Sequence, residues 1–209
     1  MEESYIRDAD MNLARIPEGV SLEFGASVAV LGIGPVGLMG VRAAVLHGAG
    51  NVFAVGSRRP CFAVAQEFGA THRMDSHAAG YLDQIVRENG GPVDGVLLCG
   101  GGEDALNSGL SILKKGGTLV NLSAYFGGAP LEIAPALWGS GYGDKTIKGV
   151  GCRGGRLWMT RMAQLIACGR VAPEKWITHR FHGLDSVPAA MDLFLQRDRT
   201  LIKPVIYND

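Results

Sequence analysis

From residue 27 onward, short β-branched apolar runs alternate with longer stretches whose apolar positions recur at helical spacing. The pattern predicts strands at 28–31, 52–55, 72–74, 93–99 and 118–122, with helices at 36–47, 61–68, 78–89 and 103–114 between them. Gly69 stops the second helix, and Lys114-Lys115-Gly116-Gly117 reads as the end of the fourth, with cations at the negative dipole end and glycine stop signals. The strands are continuously apolar rather than alternating, as parallel strands covered on both faces are. The pattern loosens after Ser123. Residues 125–144 read as loop, 145–150 as a sixth strand, 156–168 as a helix, 176–181 as a strand, 184–195 as a helix and 201–207 as a closing strand. This order predicts an α/β protein, a Rossmann-type doubly wound parallel sheet with short N- and C-terminal extensions. Residues 1–23 carry too little apolar surface for a domain of their own and form the first extension. Residues 24–175 make up the sheet domain, and 176–209 a return segment packing on it.

The first strand runs into Gly32-Ile33-Gly34-Pro35-Val36-Gly37, and a helical pattern and a second strand follow within about 30 residues. In that setting the three glycines have separate tasks: Gly32 permits the tight turn, Gly34 lets a pyrophosphate approach the backbone, and Gly37 lets the helix pack closely on the sheet. Free N–H groups at the helix N-terminus then face the phosphates, and Pro35 loses no hydrogen bond in the first turn. This is the pattern of a dinucleotide site. At the end of the second strand, where an NAD site usually carries a carboxylate for the ribose 2′-hydroxyl, the chain has Gly56, Ser57, Arg58 and Arg59. A hydroxyl and a guanidinium with no opposing carboxylate suit a 2′-phosphate, so NADP(H) is expected rather than NAD(H). The same absence argues against a methyltransferase, which would use an acid there for the ribose. In a doubly wound sheet, ligands lie beyond the carboxyl ends of the strands, which places 32–37, 56–58, 99–101 and 122–124 along one edge.

Composition narrows the partners. In 209 residues, 20 basic side chains balance 20 acidic ones, leaving no electrostatic footprint for nucleic acid. The longest apolar run, 28–41, is too short and glycine-rich for a membrane span, and MEESYIRDAD does not resemble a signal peptide. Cys61, Cys99, Cys152 and Cys168 form no CxxC pair, as expected of reduced thiols in a cytoplasmic protein and not of a cysteine-based zinc site. Among the histidines, His47, His179 and His182 stand apart, and only His72 and His77 with Asp75 form a local group, a short polar loop rather than a metal centre. Trp138, Trp158 and Trp176 read as packing anchors. No metal ligand and no catalytic residue can be named from the pattern.

The segments DADMNLARIPEGVSLE, SVAVLGIGPVGLMG, VGSRRP, GGG, KKGGTLVNLS, DKTIKGV, GGR, ITHRFHG and LIKPVI together resemble successive landmarks of the zinc-dependent medium-chain alcohol dehydrogenases, in particular the bacterial NADP-dependent secondary-alcohol dehydrogenases. The resemblance implies that Gly56, Ser57 and Arg58 form the 2′-phosphate site, that Cys99, Gly101, Leu122 and Ser123 surround the nicotinamide, and that Lys203 approaches the cofactor phosphates. The family tyrosine beside the adenine falls at Ser76, and the usual asparagine near the nicotinamide is Ser123. Family members begin with a GroES-like catalytic domain that carries the zinc ligands. No counterpart lies within these 209 residues, so 1–23 resembles the tail of that domain and no zinc is expected in this chain. Three readings follow: an NADP(H)-binding domain with little activity alone, an oxidoreductase acting on a secondary alcohol or ketone once a partner chain or a second copy completes the cleft, and a non-enzymatic NADP(H)-responsive module. The uncovered sheet face and cleft wall predict self-association or a catalytic partner chain.

Overall fold

The apolar runs pair into one sheet. β1 (Ser27–Leu31), β2 (Asn51–Gly56), β3 (His72–Asp75), β4 (Val93–Leu98), β5 (Leu113–Asn121) and β6 (Thr146–Gly149) are all parallel, in the order β3-β2-β1-β4-β5-β6. This computed structural model describes residues 25–100, 104–124, 130–151 and 154–208, so the expectations for 1–23, Gly101 and Cys152 lie outside the described residues. All five residues of β1 are buried, as are the central four of β2, because helices cover both faces. The strand order reverses between β1 and β4, which makes the crevice at their carboxyl ends the topological switch point. The expected doubly wound sheet is thereby found.

α1 (Pro35–Leu46), α2 (Arg59–Glu67) and α5 (Arg156–Ala167) lie on one side. Their core joins Val28, Val30, Ile33, Leu38, Val41, Val52, Phe68, Leu97 and Val120, with Met162 and Leu165 packed against it. α3 (Tyr81–Asn89) and α4 (Ala105–Ile112) cover the other face, where Phe53, Val55, Ile85, Val96, Leu98, Leu110 and Leu119 meet. The first cluster also takes in Val171 and Ile202 from the C-terminal part of the chain. There β7 (Ile177–His182) and β8 (Lys203–Tyr207) pair in parallel, connected through α6 (Val187–Leu195). Trp176 meets Phe68 edge-on at 6.1 Å, the anchoring contact expected of a lone tryptophan. Among the described residues, no helix is long and apolar enough to cross a membrane.

The elements depart from the pattern most at two places. α3 starts at Tyr81 rather than at residue 78, because Gly80 takes a left-handed backbone (φ 72°) that the helix cannot include. The larger correction concerns Lys114-Lys115-Gly116-Gly117, which is not a helix end. α4 stops at Ile112, Leu113 is already extended (φ −81°, ψ 131°), and β5 begins there. The β4–β5 register jumps from Val93↔Leu113 to Gly95↔Thr118, so residues 114–117 bulge out of the ladder, with Gly116 at φ 75°. Lys114 reaches the carboxylate of Asp94, and the cation at the negative end of α4 is Lys145. Its Nζ donates to the carbonyls of Leu110 (2.7 Å) and Leu137 (2.8 Å), and burial lowers its pKa from the ordinary lysine value.

Candidate dinucleotide site at the carboxyl edge of the sheet

Backbone hydrogen bonds stitch the loops beyond the strands into one rim. Gly32 N–H donates to Val55 O (3.0 Å), Cys99 N–H to Leu31 O (2.8 Å) and Leu122 N–H to Leu98 O (2.8 Å), so the ends of β2, β1, β4 and β5 are held side by side. Each loop named from sequence along this edge is therefore adjacent to the next, save Gly101, which lies outside the described residues.

Within the rim the three loop glycines differ physically. Gly32 has φ 90°, and a Cβ on it would lie 2.8 Å from the Gly100 nitrogen. A Cβ on Gly37 would stand 1.9 Å from the Gly32 carbonyl oxygen, which leaves no room for any side chain where α1 meets the turn. Gly34 is the exception. Its φ of −71° is open to any residue, and a Cβ there would meet only the Arg58 guanidinium, at an ordinary 3.7 Å. The fold therefore does not demand glycine at 34, whereas a ligand pressed against the backbone would. Gly34 is the N-cap of α1 with Pro35 at N1, and no side chain caps the helix. Because the first in-helix bond is Leu38 N–H to Gly34 O (2.9 Å), the N–H groups of Val36 and Gly37 precede the helical ladder and are available to an anion. Residues 34–37 thus fit a pyrophosphate.

The end of β2 shows why no carboxylate stands there. A Cβ on Gly56 would fall 2.4 Å from Cγ1 of Ile33, a side chain only 3% exposed and packed in the core. Ser57 and Arg58 follow, both half-buried, and Arg58 is the N-cap of α2. The Arg58 guanidinium also donates to the carbonyl of Leu201, so the α6–β8 loop is tied to the same turn. Arg199 makes the reciprocal contact, its Nη2 donating to the Ser57 carbonyl at 2.8 Å. These two residues escaped the sequence reading, because 142 positions separate Ser57 from Arg199 and no local pattern couples them.

On the other side of the switch point, a Cβ on Gly37 would also come within 3.4 Å of Cys99 Cβ, which fixes Cys99 against the start of α1. Burial pushes its thiol up to about 12, so the group is neutral at physiological pH. Leu122 packs on the first core cluster. Ser123 is held by Asn121, whose Oδ1 accepts from Ser123 N–H (3.1 Å) while its Nδ2 donates to Ser123 O (2.9 Å). Asn121 was missed from sequence, although a short polar residue closing an apolar strand at the ligand edge was the available signal. Lys203 is the exposed first residue of β8, beside Ile177 and next to the buried Ile202. Ser76, at the position of the family tyrosine, donates its backbone N–H to Gly56 O (2.9 Å) and so borders the same turn. His72 stacks on Phe53 and His77 N–H bonds Asp75, which accounts for that small polar group without a metal. Among the described residues, no group of three or more His, Cys, Asp or Glu is placed to hold a metal ion.

A family model for zinc-binding dehydrogenases matches residues 35–167, more than half of the chain and the whole span from the first residue of α1 through α5. The chain belongs to the zinc-binding dehydrogenase family. It is 39% identical to an NADP-dependent isopropanol dehydrogenase of Thermoanaerobacter brockii and 36% identical to one of Clostridium beijerinckii, each alignment covering 97% of this chain and 64% of the relative. The chain thus spans somewhat under two thirds of the length of these curated relatives. Among solved structures, an alcohol dehydrogenase zinc-binding domain protein from Burkholderia ambifaria superposes with a TM-score of 0.80 at 27% identity, covering 97% of this chain and 54% of that one. The match of fold and sequence together places the glycine turn and the β2–α2 turn of this chain within a zinc-binding dehydrogenase framework.

Proposed function

We propose that this chain is the NADP(H)-binding part of an alcohol dehydrogenase-like oxidoreductase. The observation that carries the reading is the β2–α2 turn. A carboxylate is sterically excluded at Gly56 by Ile33, and the Arg58 guanidinium, two residues on in the same turn, stands beside Gly34. In this reading the N–H groups of Val36 and Gly37 bind the pyrophosphate, Ser57 and Arg58 bind the 2′-phosphate, and Cys99, Leu122 and Ser123 border the nicotinamide. Gly101 and Lys203 are assigned to the nicotinamide rim and the phosphates by family resemblance. When bound, NADP(H) supplies or accepts a hydride. The names of the relatives point to a secondary alcohol or ketone as the reacting partner. The described residues do not fit a zinc ion, so no step of substrate activation is assigned to them.

Calorimetric titration with NADPH and with NADH tests this reading. Arg58→Ala is expected to weaken NADPH by about 1.5–3 kcal/mol, the range for a hydrogen bond to a charged group, and to leave NADH nearly unchanged. Equal affinity for the two nucleotides in the unaltered chain would overturn it.

A second reading, in which a catalytic partner chain or a second copy completes the enzyme, is favoured by one surface. Leu184, Val187, Met191, Phe194 and Leu195 are all exposed along α6 and the turn before it, at helical spacing that makes an apolar stripe. Zinc bound at one per chain, together with alcohol-dependent reduction of NADP, would establish that reading; a metal-free monomer by light scattering would remove it.

A further inference from the structure

The β2–α2 turn and the α6–β8 loop hold each other by two opposite contacts. Arg58 donates across to Leu201 O, and Arg199 donates back to Ser57 O at 2.8 Å. The loop that carries Arg199 is itself fixed. Arg197 adopts φ 52°, Asp198 Oδ1 accepts from both the N–H (2.7 Å) and the hydroxyl (2.6 Å) of Thr200, and Leu201 and Ile202 are each only 3% exposed. Ile202 N–H donates to the Thr178 hydroxyl at 2.9 Å, which ties the loop to β7. Arg199 itself remains exposed. A guanidinium has five N–H donors in a planar fork, and the Ser57 carbonyl takes one of them. Among the described residues, neither Arg58 nor Arg199 has a carboxylate within ion-pair distance. The one acid in the loop, Asp198, is occupied with Thr200.

We propose that Arg199 is a second guanidinium of the 2′-phosphate pocket and sets the preference for NADPH over NADH together with Arg58. The proposal rests on the NADP(H) reading and deepens it. Two planar donors, one on the turn that carries Ser57 and one on the loop tied to it, can grip a phosphate dianion together, an arrangement to which a 2′-hydroxyl has no comparable response. The C-terminal segment therefore takes part in cofactor selection and does more than pack on the sheet. The hydrogen bond to the Ser57 carbonyl aims the guanidinium before the ligand arrives, which reduces the ordering that binding requires.

The test measures dissociation constants of the full chain for NADPH, NADH, 2′,5′-ADP and 5′-AMP by calorimetry, with Arg199→Ala, Arg199→Lys, Arg58→Ala and, as a charge control, Arg73→Gln. Arg199→Ala is expected to weaken NADPH and 2′,5′-ADP about tenfold or more while changing NADH and 5′-AMP less than about twofold. Arg199→Lys recovers part of the loss, and Arg73→Gln leaves the discrimination unaltered. An equal loss for all four nucleotides would make Arg199 a loop strap only and overturn the proposal. So would a selective loss in Arg58→Ala with none in Arg199→Ala, an outcome that leaves the NADP(H) reading standing. An unaltered chain that does not discriminate between NADPH and NADH removes that reading and this proposal with it.

Discussion

Asp94, at the second position of β4, serves three donor groups of two neighbours at once. Its Oδ2 accepts from the N–H and the hydroxyl of Ser27, each at 2.7 Å, and its Oδ1 faces the Lys114 ammonium. Burial pushes the Asp94 carboxyl up, but the bonds from Lys114 and Ser27 outweigh it and leave the pKa below its ordinary value of 3.8. A folded-state value below the unfolded one means that the stabilisation is complete above about 3.8 and is lost as the pH falls through the lower, folded value. The melting temperature of the unaltered chain is therefore expected to fall more steeply below pH 4 than that of Asp94→Asn. Parallel acid curves for the two would rule out this carboxylate as the source. At neutral pH, Asp94→Ala strands the polar groups of Ser27, which is only 4% exposed, and is expected to cost about 1–3 kcal/mol by urea denaturation. Chemistry of this kind was invisible in the sequence, because Ser27, Asp94 and Lys114 meet only after β1, β4 and β5 have aligned.

At the scale of elements, α4 shows what the pattern conveys and what it cannot. Its existence and its buried face were legible from the spacing of Ala105, Leu106, Gly109 and Leu110. Its end was not. Two lysines before two glycines is the ordinary signal of a helix C-terminus, yet here the chain turns extended at Leu113 so that Lys114 can meet Asp94. A lysine 35 residues away in sequence from Leu110 caps the helix instead. Replacing Lys145 by Met removes the charge from the negative end of α4 and leaves the Leu110 and Leu137 carbonyls without their donor. The expected loss is on the order of 1 kcal/mol in urea denaturation, whereas Lys115→Met should change stability by less than half of that. Equal effects would return the capping role to the sequence-adjacent pair. The same helix lies close on the sheet through Gly109, where a Cβ would stand 2.7 Å from Leu119 Cδ1 and 3.1 Å from Val96 Cγ1. Gly109→Ala is expected to destabilise by about 1–3 kcal/mol through overpacking, although alanine is the better helix former. A neutral or stabilising substitution would show that α4 can lift off the sheet at no cost. The glycine turn between β1 and α1 was legible to the residue because there the signal is local: three glycines, a proline and two flanking periodicities within a few turns of chain.

Across the whole molecule, the nucleotide edge depends on a part of the chain that cannot stand alone. β7 and β8 form a two-stranded sheet, and such a pair is marginal in water without a surface to dock on. Its docking rests on few buried side chains, chiefly Ile202, inserted into the cluster that holds Ile33, Leu38 and Phe68, with Trp176 packed against the same cluster just before β7. The central strands β1, β2 and β4 of the six-stranded sheet, by contrast, are buried nearly throughout. Local stability should therefore differ between the two, and β7–β8 should open without unfolding the main sheet. Ile202→Ala removes buried methyl groups at the seam and is expected to lower the opening free energy of β8 by about 2–5 kcal/mol. Native-state hydrogen exchange would read this as much faster exchange at Val205 and Ile206, with the amides of Val28–Leu31 little changed. The same opening withdraws the Leu201 carbonyl from Arg58 and Arg199 from Ser57, so NADPH should bind this variant more weakly and, once bound, restore protection at β8. Equal acceleration in β1 and β8 would mean that the two sheets unfold as one cooperative unit. In that case the tie between the α6–β8 loop and the β2–α2 turn would be as permanent as the sheet itself, and nucleotide binding would have no separate opening to suppress.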